Sequence, residues 1–300
     1  MEVWFTELQY SGLKITCKVL QTLHREMSPF QEIVVLDTEM FGRMLVLDGA
    51  IQATIADEFV YHEMLAHVPV CSHPDPKDVL IIGGGDGGCA REVLRHQQIG
   101  SVTQVEIDRR VVDVSRHFLP ELACSFDNPR MSVCFEDGIA FVKDKEACYD
   151  VILVDAPDPV GMAAGLFSRE FYESLYRALR PDGIFASQTE SPFFNKDLIN
   201  KVYGGVSSIF PITGLYLANV PTYPSGLWSF TIGSKKYDPA QGPTETAGSM
   251  AGQGLRYYTP EVHRAAFALP PFVQALLRYG DTPRAGVPAS AGRAPGECPR

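Results

Sequence analysis

The sequence has little positive charge, no long apolar run and no paired cysteines, and each shortage removes a class of function. Lys and Arg number 26 against 36 Asp and Glu, a formal net charge of -10. A chain with that balance lacks the basic footprint that neutralises phosphates, so no nucleic-acid partner is expected. A cationic ligand suits it better. No apolar stretch approaches the ~18 residues that suggest a membrane span. The first residues, Met1-Glu2-Val3-Trp4-Phe5-Thr6-Glu7, offer neither a basic lead nor a hydrophobic block. A cytoplasmic location with no membrane partner is therefore the expectation. The 7 cysteines are odd in number and form no C-x-x-C pair, so neither a disulfide framework nor a zinc site is indicated. What remains is 300 residues, 45% of them hydrophobic, enough for one large α/β domain and a smaller companion.

Two textures divide the chain. Residues 1–56 read as hairpin strands at 12–20, 31–36, 44–49 and 51–54, broken by Ser28-Pro29, Phe41-Gly42 and Asp48-Gly49, which predicts a small antiparallel β domain. Residues 58–68 have helix length and meet Pro69, where the helix should stop. Beyond it, short apolar runs at 79–82, 102–105, 131–134 and 151–154 have the length of buried parallel strands, with helical stretches at 90–96 and 110–118 between them. A helix at 171–179 and strands at 183–187 and 227–233 follow. This alternation predicts a doubly wound α/β sheet with right-handed crossovers over residues 57–280. Residues 238–254, rich in Gly, Pro, Ser and Thr, should be a mobile surface loop, and the tail 281–300 should be disordered.

Ligands of an open α/β sheet bind beyond the carboxyl ends of its strands, and here those ends are acidic. The first apolar run leads into Gly83-Gly84-Gly85-Asp86-Gly87-Gly88, the second into Glu106-Ile107-Asp108, the third into Glu136-Asp137-Gly138 and the fourth into Asp155-Ala156-Pro157-Asp158. Carboxylates should therefore converge on one rim. Glycines 83, 85 and 88 fit G-x-G-x-x-G, with Glu106 placed to accept ribose hydroxyls. That pattern alone does not separate a dinucleotide site from an S-adenosyl site. Asp86 does, because a carboxylate among the loop N–H groups repels a pyrophosphate and the carboxylate of S-adenosylmethionine alike. It attracts an ammonium. The nucleoside it suits is decarboxylated S-adenosylmethionine, whose chain ends in a bare aminopropyl group.

With those residues in view, the chain resembles the spermidine synthase family of polyamine aminopropyltransferases over nearly its whole length. The matching stretches are Trp4-Phe5-Thr6-Glu7, Ser28-Pro29-Phe30-Gln31, the segment from Gly42 to Gly49, Asp57-Glu58-Phe59-Val60-Tyr61-His62-Glu63, the glycine loop with Asp86, Val105-Glu106-Ile107-Asp108 and Pro221-Thr222-Tyr223-Pro224-Ser225-Gly226. The resemblance implies a Rossmann-like fold of the S-adenosylmethionine methyltransferase type, led by the β domain, in a homodimer or homotetramer. It implies that Gln31, Gln52 and His62 lie at the nucleoside, that Asp86 binds the aminopropyl ammonium, that Glu106 takes the ribose, and that Asp137-Gly138 faces the adenine. Asp155 resembles the catalytic acid, and Asp158 its partner in diamine binding. Tyr61, Gln188 and Tyr223 would line the acceptor channel.

The reaction so implied moves an aminopropyl group from decarboxylated S-adenosylmethionine to putrescine, giving spermidine and methylthioadenosine, with no metal and no cofactor. An alkyl amine of pKa ~10.4 is neutral in only roughly one molecule in a few thousand at pH 7, so Asp155 should accept its proton, with help from Tyr61. The family loop D-S-[ST]-D-P-x-G-P-A-E reads here Asp155-Ala156-Pro157-Asp158-Pro159-Val160-Gly161-Met162-Ala163-Ala164. Both aspartates are kept, while two hydroxyls, a proline and a glutamate are lost. The acceptor could therefore be cadaverine, agmatine or a longer polyamine. Two rival readings stay open: a methyltransferase, and a polyamine-binding homologue without turnover. Cys89, directly after the glycine loop, reads as a buried thiol and not as a redox group.

Overall fold

Alternating apolar residues build the first sheet. In the computed structural model, which describes residues 2–156, 165–244 and 254–277, strands β1 (Val3–Tyr10), β2 (Leu13–Met27), β3 (Glu32–Thr38), β4 (Gly42–Leu47) and β5 (Ala50–Thr54) follow one another in an antiparallel meander. The β4–β5 turn is the Asp48-Gly49 pair, both residues at positive φ (48° and 78°), the geometry that a two-residue hairpin of right-twisted strands requires. β2 is longer than the expected short strand. It has register irregularities against β3 between Val19 and Gln21 and between Thr22 and His24, and such bulges bend a strand and increase its twist.

Helix α1 (Glu58–Ser72) follows, and it corrects the expected stop at Pro69, which lies inside it. The proline falls in the last turn, where a missing N–H and a local kink disturb little of the helix before it. Burial holds the final turn in place, since Val68, Pro69, Val70, Cys71 and Ser72 are all buried and the Ser72 hydroxyl donates to the Val68 carbonyl at 2.7 Å.

The second sheet contains β6 (Asp78–Gly83), β7 (Ser101–Val105), β8 (Met131–Cys134), β9 (Tyr149–Asp155), β10 (Leu179–Gln188), β11 (Ile212–Asn219) and β12 (Leu227–Ser234). Its order is β11-β12-β10-β9-β6-β7-β8. β10, β9, β6, β7 and β8 run parallel, and β12 and β11 run antiparallel at one side. The connecting helices are α2 (Gly88–Leu94), α3 (Arg109–Phe118), α4 (Pro120–Ala123), α5 (Gly138–Lys143), α6 (Arg169–Ala178) and α7 (Lys196–Ser207), with α8 (Pro260–Ala266) and α9 (Pro271–Leu277) at the end. This is the Rossmann-like, methyltransferase-type sheet that the sequence predicts.

Both faces of the sheet are covered at its centre, which is why β6 and β9 are nearly continuously apolar. Val79, Ile81, Val151 and Leu153 face α1 and α2, in one core with Met64, Leu65, Ala90 and Val93. Leu80, Ile82, Ile152 and Val154 face the other way, in a core with Val142, Phe171, Leu175, Val202 and Val206. Each such side chain contributes ~1.5–3 kcal/mol on burial. The first sheet is seated on the second unit through Ile33, Val35 and Leu45, which pack on Val111, Val114 and Leu119. The strand order reverses between β6 and β9, so a crevice opens beyond their carboxyl ends. There Gly83 is paired with Asp155.

Candidate active site

The glycine loop and Asp155 are pressed together because glycine permits it. Gly83 has φ +85°, and a Cβ there would lie 2.1 Å from the Asp155 carbonyl oxygen, which accepts instead from the Gly84 N–H at 2.8 Å. The Asp155 carboxyl group thereby enters the crevice. Its Oδ1 accepts from the Tyr61 hydroxyl at 2.7 Å, while its Oδ2 is buried and has no hydrogen-bond partner among the described residues. Burial, then the nearby Asp86 charge, push this carboxyl up to about 6, against the opposing pull of His62 and Tyr61. Burial and the Asp155 charge raise the Tyr61 phenol well above its usual value. The phenol thus stays protonated and holds the carboxylate as a donor.

Asp86 is the other half-buried acid of the crevice. Its Oδ1 accepts from the Gly88 N–H at 2.7 Å and lies 3.4 Å from His62 Nε2. Burial opposes its ionisation, but His62, the Gly88 N–H and Arg91 together hold it below the usual carboxylate range. The approach of His62 depends on Gly88, where a Cβ would stand 2.3 Å from the imidazole Cε1. His62 Nδ1 faces Glu58 Oε2 at 2.6 Å. Burial would discharge the ring, yet Asp86 and Glu58 raise its pKa well above the ordinary histidine value.

Beyond the end of β7, Glu106 and Asp108 meet the loop before β3. Glu106 is 8% exposed and its Oε1 accepts from the Asp108 N–H at 2.9 Å. Burial, with the Asp108 and Asp155 charges, pushes Glu106 up to about 7 although backbone N–H groups pull it down. Asp108 Oδ2 accepts from Ser28 Oγ at 2.6 Å and from Gln31 Nε2 at 3.0 Å, and its Oδ1 caps α3 at Arg110 N–H. Gln31 is thus fixed one residue away from Glu106 through Asp108.

Aromatic rings gather beside Asp155. Tyr223 packs edge-on to Tyr61, ring centroids 5.7 Å apart, and to Trp228 at 4.7 Å, and its hydroxyl donates to the Gln52 carbonyl at 2.5 Å. The Gln52 side chain turns to the Ala50 carbonyl at 3.3 Å. Gln188, at the end of β10, donates to the Ala156 carbonyl at 3.1 Å and accepts from the Glu190 N–H at 3.0 Å, so its amide braces the chain just after Asp155. Asp137 is solvent-exposed and caps α5 at the Ile139 N–H. Gly138 packs on Ile82, where a Cβ would come within 2.4 Å of Cγ2. Asp158 lies outside the described residues, as does most of the altered loop.

Sequence reasoning missed Glu58, Arg91, Asp108 and Gln104. Glu58 had a local signal in its i,i+4 spacing to His62. Gln104 Nε2 donates to the Gly84 carbonyl at 2.7 Å and so steadies the glycine loop from β7, a contact between strands that no local pattern announces. Cys89 is fully buried, and burial raises its thiol well above its usual value, as the inert reading expects.

Among the described residues, His73, Asp150 and Asp182 bring metal-ligand atoms within 4.8 Å of one another. They lie at the opposite ends of the strands from Asp155. Asp150 Oδ2 is already taken by the Lys77 and Asp78 N–H groups and by Arg180 at 2.7 Å, and His73 Nδ1 accepts from the Asp75 N–H at 3.2 Å. A guanidinium already holds the positive-charge position there.

Known proteins fit this geometry. The spermine/spermidine synthase domain matches residues 58–241, and the spermidine synthase tetramerisation domain matches residues 3–54. The polyamine aminopropyltransferase of Moorella thermoacetica is 55% identical over 275 residues, 92% of this chain and 96% of that protein. That of Desulforudis audaxviator is 53% identical over 278 residues, 93% of this chain and 100% of its own. The chain belongs to the spermine/spermidine synthase family. Among solved structures, a spermidine synthase in complex with the transition-state analogue AdoDATO superposes with a TM-score of 0.89 at 40% identity, covering 92% of this chain and 94% of that one. The spermidine synthase of Thermotoga maritima gives 0.86 at 39% over the same shares. This spermine/spermidine synthase family member is accordingly an aminopropyltransferase.

Proposed function

We propose that the enzyme transfers the aminopropyl group of decarboxylated S-adenosylmethionine to putrescine, giving spermidine and methylthioadenosine. The donor ammonium pairs with Asp86, and Glu106 accepts the ribose hydroxyls, with Gln31, Gln52, His62 and Asp137-Gly138 around the nucleoside. The diamine enters past Tyr61 and Tyr223, with Gln188 and Asp158 fixing it. Its nitrogen attacks the carbon next to the sulfonium. The new C–N bond forms as the C–S bond breaks, the electron pair returns to sulfur, and the leaving group is a neutral thioether.

The observation that carries the reading is the pair of half-buried carboxylates, Asp86 and Asp155, set beyond the ends of neighbouring strands, with Asp155 Oδ2 unpartnered among the described residues and therefore available to a proton. A general base contributes ~10²–10⁴-fold when it is positioned at the reacting proton, and orientation of the two substrates supplies more. Asp155 acts as that base and as an electrostatic anchor. The chemistry needs no metal and no cofactor, since the donor is itself an activated alkyl sulfonium.

Val3, Trp4, Leu8, Leu20 and Met27 are large apolar residues left exposed on β1 and β2, which supports a homo-oligomer joined through the first sheet. No helix among the described residues is long and apolar enough to cross a membrane. The test of function is a mass-spectrometric assay that offers putrescine, cadaverine, agmatine and spermidine together with the donor. Spermidine should form first and fastest from putrescine, and Asp155→Asn should abolish it. Preference for another amine would move the acceptor assignment, and undiminished turnover in Asp155→Asn would remove that residue from the chemistry.

A further inference from the structure

Behind Asp86 a chain of charged groups runs inward. His62 has a carboxylate oxygen at each ring nitrogen, Glu58 Oε2 2.6 Å from Nδ1 and Asp86 Oδ1 3.4 Å from Nε2. The ring is 2% exposed, as a residue in the middle of this packed layer. A neutral imidazole carries one N–H and leaves a lone pair on the other nitrogen, so in either tautomer a lone pair would face a buried carboxylate. Two N–H groups remove that conflict. Glu58 is in turn fixed, since Arg91 Nη1 donates to its Oε1 at 3.1 Å and Nη2 to its Oε2 at 2.8 Å. Arg91 also meets Glu92 Oε1 at 2.7 Å, and Arg95 meets Glu92 Oε2 at 2.7 Å.

We infer that Glu58, held by Arg91, is a positioning residue that keeps His62 doubly protonated, and that this buried cation lets Asp86 and Asp155 stay ionised next to each other. The inference rests on the function proposed above and deepens it. The charges agree with this assignment. Glu58, Asp86, Glu92 and Asp155 bring four carboxylates to the cluster, and Arg91 and Arg95 bring two guanidinium groups. An imidazolium at His62 adds a cation between Glu58 and Asp86. A neutral His62 removes that cation, and carboxylates placed close together with no cation between them retain a proton.

The groups that bear on His62 are few. Glu58 and the Tyr61 ring, 5.4 Å away and edge-on, come from α1 itself. Asp86 comes from the glycine loop, the Arg91 guanidinium from α2 by way of Glu58, and the Asp155 charge from β9. The Cys89 thiol on α2 is uncharged and buried. His67 and His96 form a separate hydrogen-bonded pair at 2.9 Å that meets Glu92 and not His62.

Glu58→Gln keeps the size and a hydrogen-bond acceptor and removes the charge, so two outcomes of opposite sign are separable. If Glu58 holds the second proton on His62, the variant ring becomes neutral, Asp155 loses a neighbouring cation, and the acid limb of the pH profile of kcat/KM moves up by about one unit. At pH 6 that is about a fivefold loss against wild type, approaching tenfold at pH 5 and shrinking as pH rises to 8.5. If His62 stays charged without Glu58, the limb stays in place or moves down, and the inference is overturned. The direct readout is a ¹⁵N spectrum of histidine-labelled full-length protein, with His62 assigned by its loss in His62→Gln. Wild-type His62 should show two protonated ring nitrogens at pH 8, and Glu58→Gln should show only one from pH 6 upward. A single protonated nitrogen in the wild type at pH 8 overturns the inference even if the variant does not fold. Should the wild-type enzyme make no aminopropylated amine, the functional reading fails on its own, and the histidine spectrum still decides this one.

Discussion

Asp155→Asn should abolish turnover and at the same time stabilise the protein, because the charge that serves the reaction opposes folding. The Asp155 carboxyl is pushed from 3.8 to about 6, chiefly by burial. In the window between those values the folded state binds a proton that the unfolded state has already released. Stability therefore falls as pH rises from about 4 to about 6, and above that the ionised carboxylate costs about 3 kcal/mol relative to an unperturbed one. Asparagine escapes this penalty. Its oxygen keeps the Tyr61 hydroxyl bond, but its amide N–H₂ replaces an oxygen that has no partner, a loss of ~1–2 kcal/mol. The net gain at pH 8 is about 1–2 kcal/mol, or a rise in Tm of roughly 2–6 °C for a domain of this size. At pH 4, where wild-type Asp155 is protonated, the gain should vanish or reverse. Paired thermal melts at pH 8 and pH 4, beside methylthioadenosine release at pH 8, make the assay. A variant that is less stable at both pH values, or one that turns over normally, refutes the reasoning.

Further outcomes follow from the same contacts. Gly88→Ala puts a Cβ 2.3 Å from the His62 ring; it should cost ~2–4 kcal/mol of stability by overpacking a fixed ion pair, lowering Tm, and should raise the donor KM as His62 is pushed off Asp86. Glu63 accepts from the backbone N–H groups of Arg256, Tyr257 and Tyr258 at 2.7–2.8 Å and so ties the segment before α8 to α1. Glu63→Gln should cost ~2–3 kcal/mol in denaturant titration, with the folded variant keeping its donor affinity. Because Glu106 titrates near 7, calorimetric binding of methylthioadenosine should strengthen several-fold from pH 6 to pH 8 as the ionised carboxylate becomes the better acceptor, and Glu106→Gln should flatten that dependence.

Much of the fold was legible because its central strands β6 and β9 are buried on both faces and therefore nearly continuously apolar. The runs at 79–82, 102–105 and 151–154 sit inside β6, β7 and β9, and 131–134 is β8. Asp48-Gly49 announced its hairpin. The helix α7 was not announced, since Gly204 and Gly205 weaken its pattern; it forms because Ile199, Val202 and Val206 are buried on one face and packing overrides propensity. Nor was β11, which carries Gly214 and owes its place to pairing along the whole of β12. Pro69 misled for the same reason, tertiary burial carrying α1 one turn past a residue that would end an isolated helix.

At the site, the acids on strand ends could be read singly, and their convergence followed from the parallel sheet. Asp86 was identified by chemistry, as a carboxylate where a phosphate-binding loop would have none. What sequence could not supply was the partner of each acid. The Tyr61 hydroxyl on Asp155, Gln31 on Asp108 and Arg91 on Glu58 span 94, 77 and 33 residues. Such pairs are set by the folded sheet and leave no local spacing to read.

The claim on which the rest depends is that Asp86 sorts donors by the charge at the end of their chain. Competitive calorimetry of decarboxylated S-adenosylmethionine against S-adenosylmethionine, on wild type and on Asp86→Asn, tests it most directly. The wild-type protein should favour the decarboxylated donor by at least tenfold, about 1.4 kcal/mol, and Asp86→Asn should erase most of that preference by weakening the amine-tipped ligand. Equal affinity of the wild type for both nucleosides, or a preference that survives the substitution, contradicts the account.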